Sequence, residues 1–314
     1  MIYEPLIEDD IIMTLEKSGT PGSLTFTIVN DGINSVFEEG SAVLLYVDNI
    51  PTFKGYVFTK KTNRDKHITV KAYDQLRYLK NKFSYIFEDV RADEILSMIA
   101  DDGELTAGSL PNTGYMIPSY VCQNKALIDV INEALTRTYD ETKTQWILFD
   151  DFGKLSLGNP ENMQLNILVT ESNAEDYEYE SSIEDSYNDI FLVKQNSAGM
   201  IEDFAHCYDE ENIKQWGLLR YYEDVKDETL TLEARAAAMF QVYNQKTRRL
   251  NIKGVFGDVR MRPGCLITCI LDLGDFKLSK MMMISSATHN ISSAHYSVDL
   301  VVEGGSIEGG QFIA

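Results

Sequence analysis

Phe53-Lys-Gly-Tyr-Val-Phe-Thr-Lys60 and, a few residues on, Ile68-Thr-Val-Lys-Ala-Tyr-Asp-Gln-Leu-Arg-Tyr-Leu-Lys-Asn81 decide the fold class. Both segments begin with β-branched and aromatic residues in near-alternation, the pattern of a half-buried strand. The second changes character at Tyr73-Asp74, where a turn gives way to the helix-forming run Gln75 to Asn81. Upstream, residues 24–29 and 42–47 carry the same strand pattern, and Gly, Asn, Asp and Pro separate all four segments. Four short strands in succession, without helical crossovers, predict an antiparallel meander that closes into a small barrel or sandwich.

Further along, the period changes. Ala92, Ile95, Leu96 and Ile99 recur at helical spacing, with Asp93 and Glu94 in a first turn where carboxylates complement the helix dipole. Leu127, Val130, Ile131 and Ala134 predict a second helix over about 125–138, and residues 146–157 read as a hairpin turning near Asp150 to Lys154. Residues 175–189 are acidic and rich in Tyr and Ser, show little apolar periodicity, and are expected to contain a boundary. A helix over roughly 230–245 follows, with Leu232, Ala236, Met239, Phe240 and Tyr243 on its buried side. Strands are predicted again at 250–255, 265–271, 280–286 and 296–302.

The second β region echoes the first: Gly264, Asp272 and Phe276 stand in the order and nearly the spacing of Gly40, Asp48 and Phe53. The expected fold is therefore mainly β with α+β insertions: two similar small antiparallel β-barrels, a middle α/β module and a long helix. The expected domains are 1–88 (first barrel), 89–185 (middle module), 186–303 (second barrel, with a helical insertion near 210–246) and 304–314 (flexible tail). A chain of 314 residues accommodates two or three such domains.

The 28 basic and 49 acidic residues give a net charge of −21, which opposes binding driven by phosphate contacts. Neither a basic–apolar secretion signal nor a membrane span is expected, and specific nucleic-acid binding is not expected either. The four cysteines lack Cys-x-x-Cys spacing and fit production in a reducing cytoplasm. Cys265 and Cys269 would share a strand face roughly 13 Å apart, too far to bridge.

Chemistry is sparse. The histidines, His67, His206, His289 and His295, fall in no metal-protease spacing, and a His289–His295 pair across a hairpin reads better as structural than as a metal site. No nucleophile elbow, Walker loop or dinucleotide fingerprint occurs. Asp150 with Asp151, or Glu184 with Asp185, could supply glycosidase carboxylates, but sequence neighbours do not establish the separation catalysis needs. No catalytic, cofactor or metal residues are therefore assigned. The aromatic series Tyr73, Tyr78, Phe83, Tyr85 and Phe87 is open to three readings: core, subunit contact or carbohydrate platform.

The ordered set Lys17-Ser-Gly-Thr-Pro-Gly-Ser-Leu-Thr-Phe26, Glu39-Gly-Ser-Ala-Val43, the two opening segments, Asn124-Lys-Ala-Leu127, Asp150-Asp-Phe-Gly-Lys-Leu155, Ser186-Tyr-Asn-Asp189, Gln215-Trp-Gly-Leu-Leu219 and His295-Tyr-Ser-Val-Asp-Leu300 resembles the XkdQ/YqbQ-like family. These are baseplate hub proteins of contractile phage tails, defective prophages and tail-like bacteriocins. The resemblance implies a non-enzymatic homotrimer without cofactors, made in the host cytoplasm and built into the baseplate of a virion or tail-like particle. Its two barrels per subunit would form a six-barrel ring that adapts the hexameric tail tube to a threefold spike. The implied partners are a tail tube or tube-initiator protein, a spike or tip protein, baseplate wedge proteins and a tape-measure protein. Some relatives carry a fused cell-wall hydrolase, for which little chain follows the last expected strand. On this reading Asp176, Glu178, Glu180, Glu184 and Asp185 are candidates for a channel-facing acidic surface, and Tyr78 and Tyr85 for interface aromatics. The alternatives are a tail-tip carbohydrate-binding module working through Tyr78 and Tyr85, and a cell-wall hydrolase.

Overall fold

The computed structural model describes residues 4–8, 10–17, 19–30, 32, 37–196, 198–225, 231–274, 276–307 and 310–312. Residues 1–3, 9, 18, 31 and 33–36 of the expected first domain, 197, 226–230 (with the expected helix start) and 275 of the expected second, and 308–309 and 313–314 of the tail lie outside the described residues. Half the chain is strand and 19% is helix, so the mainly-β expectation holds. Two compact units result, Met1–Tyr177 with Asn251–Val302, and Glu178–Leu250 with Glu303–Ala314.

The first unit opens with β1 (Ile11–Glu16), β2 (Ser23–Val29), β3 (Ala42–Val47), β4 (Ile50–Thr62) and β5 (His67–Tyr73). The last four are the strands that alternation predicts; β1 is additional, and its Ile11, Met13 and Leu15 point to one side. Asp48 and Asn49, both with positive φ (51° and 64°), form the two-residue turn between β3 and β4. Such a turn matches the twist of a hairpin, and short polar residues tolerate it. Met13, Leu24, Phe26, Ile28, Phe53, Val57, Ile68, Val70 and Ala72 form the core beneath these strands.

A 3₁₀ helix, Gln75–Lys80, leads from β5 into β6 (Lys82–Val90), α1 (Ala92–Asp102), β7 (Ile117–Ala126), α2 (Leu127–Thr142), β8 (Ile147–Asp150), β9 (Leu155–Gly158) and β10 (Gln164–Thr170). β6 and β7 pair antiparallel, and α1 and α2 pack on them around Ile95, Leu96, Ile99, Val130 and Ile131. Ile131 is fully buried among these side chains. Ile131→Ala is therefore expected to cost about 3 kcal/mol from lost burial and a residual cavity, read as a lowered urea midpoint.

The chain continues through β11 (Asp176–Ser182), β12 (Asp189–Gln195), β13 (Ile201–Tyr208), α3 (Glu210–Trp216), β14 (Arg220–Asp224), α4 (Leu232–Tyr243), β15 (Lys246–Phe256), β16 (Leu266–Asp272), β17 (Lys277–Ile291), β18 (Tyr296–Ile307) and β19 (Gly310–Phe312). The 15-residue β17 is shared: Lys277 to Met283 pair with β16, and Ser286 to Ile291 pair with β1. β16 also takes β10 in parallel on its far side. The first unit's sheet therefore runs β18-β17-β1-β2-β5-β4-β3. The two β regions expected as separate barrels are thus joined through β1 and β17. Among the described residues no ladder closes either region into a barrel.

In the second unit, β12 lies between β13 (antiparallel) and β14 (parallel). α4 covers one face, packing Leu232 and Ala236 against Ile190, Leu192 and Ala205, with Met239, Phe240 and Tyr243 alongside. The other face carries Phe191, Phe204 and Tyr222 with ring planes within 15° of parallel. Beside them Asp189, whose side chain is almost fully buried, accepts from Arg220 Nε (2.6 Å) and bonds His206 Nε2 (3.0 Å). The Arg220 hydrogen bond, with help from His206, holds this carboxyl below the usual range despite its burial.

Candidate functional site

The two tyrosines singled out by the sequence open onto one cleft of about 350 Å³ in the first unit. β4 supplies Tyr56, the 3₁₀ helix supplies Gln75 and Tyr78, and β6 supplies Phe83 and Tyr85. The end of α1 and the turn after it supply Asp102, Glu104, Leu105 and Thr106. Asp74 fixes the 3₁₀ helix by accepting from the Leu76 amide (3.0 Å) and the Gly22 amide (2.8 Å). The Leu127 amide donates to the Asn81 carbonyl (2.9 Å), tying the start of α2 to the same wall.

The rings stand at angles to one another. Tyr56 and Tyr78 meet edge to face, 5.9 Å apart at 72°, and Phe83 and Tyr85 lie 6.2 Å apart at 33°. The Tyr85 hydroxyl donates to Asp102 Oδ2 (2.9 Å). Burial, and then this bond to a carboxylate, push the Tyr85 phenol up to about 12. Gln75 is committed inward, its amide NH₂ donating to the Gly153 carbonyl and its oxygen accepting from the Thr106 amide (3.0 Å). Glu104 sits at φ 53°, an unusual left-handed position for a non-glycine residue.

Of the aromatic series, Phe87 is buried, Tyr73, Tyr78 and Tyr85 are half-buried, and Phe83 is 55% exposed. Tyr78, Phe83 and Tyr85 therefore face the cleft, and Phe87 lies in the core. Asp102 and Glu104, which sequence reasoning missed, reach the cleft because α1 packs against β6.

The five candidate acids are all exposed. Within β11, Asp176, Glu178 and Glu180 alternate with half-buried Tyr177 and Tyr179, and Glu184 and Asp185 follow the strand's end. The run that showed little apolar periodicity is thus a strand, because tyrosine fills the inward positions that aliphatic residues usually hold. The Glu175 amide donates to the Lys253 carbonyl (3.0 Å) at one end, and Thr247 Oγ1 donates to the Ser182 carbonyl (3.2 Å) at the other.

Of the carboxylates considered for catalysis, Glu184 and Asp185 belong to this exposed run, and Asp150 and Asp151 lie elsewhere. Asp150 accepts from the Gly153 amide (2.6 Å) and the Gln75 amide (3.3 Å), while Arg262 donates to the Asp150 carbonyl (2.6 Å). Burial lifts Asp150 to about 6 and raises Asp74 well above the usual range. Such shifts also mark active sites, but the cavity beside this pair measures only about 20 Å³, room for a single water and no substrate. The cluster is a packed joint linking Gly22, Asp74, Asp150 and Arg262. His289 is buried, its Nε2 donating to the Met261 carbonyl (2.8 Å) and its Nδ1 accepting from the Tyr296 hydroxyl (2.8 Å). Among the described residues, no group of three His, Cys, Asp or Glu could hold a metal ion.

A YQBQ-like family profile matches residues 11–303, almost the whole chain. The chain belongs to that family. The chain is 29% identical over 257 residues to the phage-like element PBSX protein XkdQ of Bacillus subtilis, covering 80% of this chain and 78% of that protein. Its fold is similar to that of the 43 kDa tail protein of prophage MuSo2 from Shewanella oneidensis (TM-score 0.71, 15% identity, 94% and 93% of the two chains covered). It is also similar to E. coli c3393, a type VI secretion component described as structurally similar to the T4 tail proteins gp27 and gp5 (TM-score 0.57, 10% identity, 100% and 78% covered). Tyr78, Tyr85 and the five acids all fall within the YQBQ-like span.

Proposed function

We propose that the chain is a structural, non-enzymatic hub in the baseplate of a contractile phage tail or tail-like particle. The observation that carries this reading is the likeness of nearly the whole chain to a prophage tail protein. Three copies close a ring in which two similar β regions per subunit, each completed to a barrel in the assembly, present six units to a hexameric tail tube. Threefold symmetry on the other side suits a spike or tip protein, and tube-initiator, wedge and tape-measure proteins are the further neighbours. The domain limits expected from sequence, 1–88, 89–185 and 186–303, serve as the working division of the subunit.

Two features of the chain support assembly. β3 ends the first unit's sheet, pairs only with β4 among the described residues, and leaves Leu44 and Tyr46 about half exposed. An apolar edge strand is a natural site for pairing with another chain. The acidic face of β11, with Glu184 and Asp185, would repel passing DNA if it lines the ring's channel.

Cryo-EM of the chain co-expressed with its neighbouring tail proteins tests this reading. The expected particle holds three copies with the two β regions related by a rotation near 60° about the threefold axis. Assemblies never containing a multiple of three would overturn it. The channel assignment has its own test, since Glu178→Lys/Glu180→Lys particles that deliver DNA normally would remove it.

A further inference from the structure

The Tyr56–Tyr78–Phe83–Tyr85 cleft has a chemistry that the ring does not call for. Four aromatic side chains and two carboxylates, Asp102 and Glu104, line it, and among the described residues no lysine or arginine does. Asp102 is bonded to Tyr85, and Glu104, exposed at the cleft's edge, makes no ion pair among the described residues. The other polar side chain deep in the wall, Gln75, has its amide taken up by Gly153 and Thr106.

Two ligand classes suit aromatic rings beside carboxylates, sugars and cations. A sugar ring stacks on an open flat platform, whereas Tyr56 and Tyr78 are set at 72° and act as adjoining walls. Walls of this kind surround a compact positive charge, which the negative faces of several rings attract together. The two carboxylates at the mouth can accept charge-assisted hydrogen bonds from any N–H donor that enters. A space of about 350 Å³ is at the small end of ligand sites and suits one long side chain better than an oligosaccharide.

We propose that the cleft accepts the guanidinium or ammonium group of one arginine or lysine, presented on an exposed basic segment of a partner protein. The tyrosine and phenylalanine rings enclose the cation's stem and head, and Asp102 and Glu104 pair with its N–H groups. The proposal concerns a pocket within one subunit and stands whether or not three subunits form a ring.

The test is titration of the full-length protein with acetyl-Gly-Arg-Gly-amide and with the same peptide carrying citrulline, the neutral isostere of arginine. Saturable one-to-one binding of the arginine peptide is expected, roughly tenfold tighter than the citrulline peptide. Asp102→Asn/Glu104→Gln is expected to weaken arginine binding about tenfold, whereas Asp140→Asn/Glu141→Gln, the same charge change on the exposed end of α2, alters it less than about twofold. Tyr78→Leu provides a second variant that leaves the charge unchanged and is expected to weaken binding roughly fivefold. Equal binding of the two peptides, equal losses in both double variants, or no saturation by about 20 mM peptide would each overturn the proposal. So would binding of chitotetraose without binding of the arginine peptide, which would make the cleft a glycan site.

Discussion

Gly55→Ala is expected to destabilise the first unit by roughly 3 kcal/mol, because the added methyl has nowhere to go. A Cβ built at Gly55 would lie 2.3 Å from the Tyr73 carbonyl oxygen and 2.7 Å from the Phe53 ring. The first of these is backbone of β5, held in its ladder by β2 and β4. The second belongs to a nearly fully buried ring that folds back over the strand at this point. Neither can yield as the end of a flexible side chain would, so either the β4–β5 pairing or the Phe53 packing must shift. Lys61→Ala, farther along the same strand at an exposed position, serves as the control and is expected to change stability by less than about 0.5 kcal/mol. Equal urea midpoints for the Gly55→Ala variant and the parent chain would show that the strand pair is far softer than its geometry implies.

The second large effect concerns two buried groups that titrate in opposite senses over the same pH range. Burial is the main cause for Asp150, raised from 3.8 to about 6, with the Gly153 and Gln75 amides and Arg262 acting against it. The fold therefore prefers the protonated acid. The resulting stabilisation is full below about pH 4 and is lost as pH rises through 6. Burial also dominates for His289, lowered from 6.5 to about 4, and the fold prefers its neutral form. That contribution is full above about pH 6.5 and is lost as pH falls toward 4. Each is worth about 3 kcal/mol, so these two contributions oppose each other with similar weight. Asp74 is raised in the same direction, by burial and then by the Asp150 charge beside it, so removing Asp150 lessens its contribution too. Relative to the parent chain, Asp150→Asn is expected to lose more stability as pH falls from 6.5 to 4. His289→Gln is expected to lose less stability than the parent over the same interval. Urea unfolding at a series of pH values reads both, and variants whose slopes match the parent would rule out these assignments.

What the sequence revealed depended on whether the signal was local. Alternation from Leu24 to Ala72 and the apolar spacing of Ile95–Ile99 and Leu127–Ala134 reflect period and burial, so these elements were legible. β1 was not, because its three inward residues sit within an acidic N-terminal stretch and one of its two partners, β17, lies far off in sequence. The β10–β16 and β1–β17 ladders leave no local trace at all, since register between distant strands is set by packing. For the same reason the joining of the two β regions into one sheet could not be read from their similar turn chemistry. The cleft was half legible: Tyr78 and Tyr85 stood out as aromatics, but Asp102 and Glu104 become their neighbours only through the packing of α1 on β6. In β11 the alternation was present, but tyrosine in the inward positions disguised it.

The pairing of β1 with β17 also bears on how the chain is made. Thr14 meets Thr288 across that ladder, 274 residues later in the chain. At the usual pace of synthesis, 5–20 residues per second, the ribosome delivers the second strand roughly 14 to 55 s after the first. Throughout that interval β2 can recruit β1 on one side only, and the other edge of β1 stays open to whatever strand arrives first. Completion of the sheet therefore waits for β17 to be made, and the nascent N-terminal hairpins are the stage of biogenesis most in need of protection from premature pairing between chains.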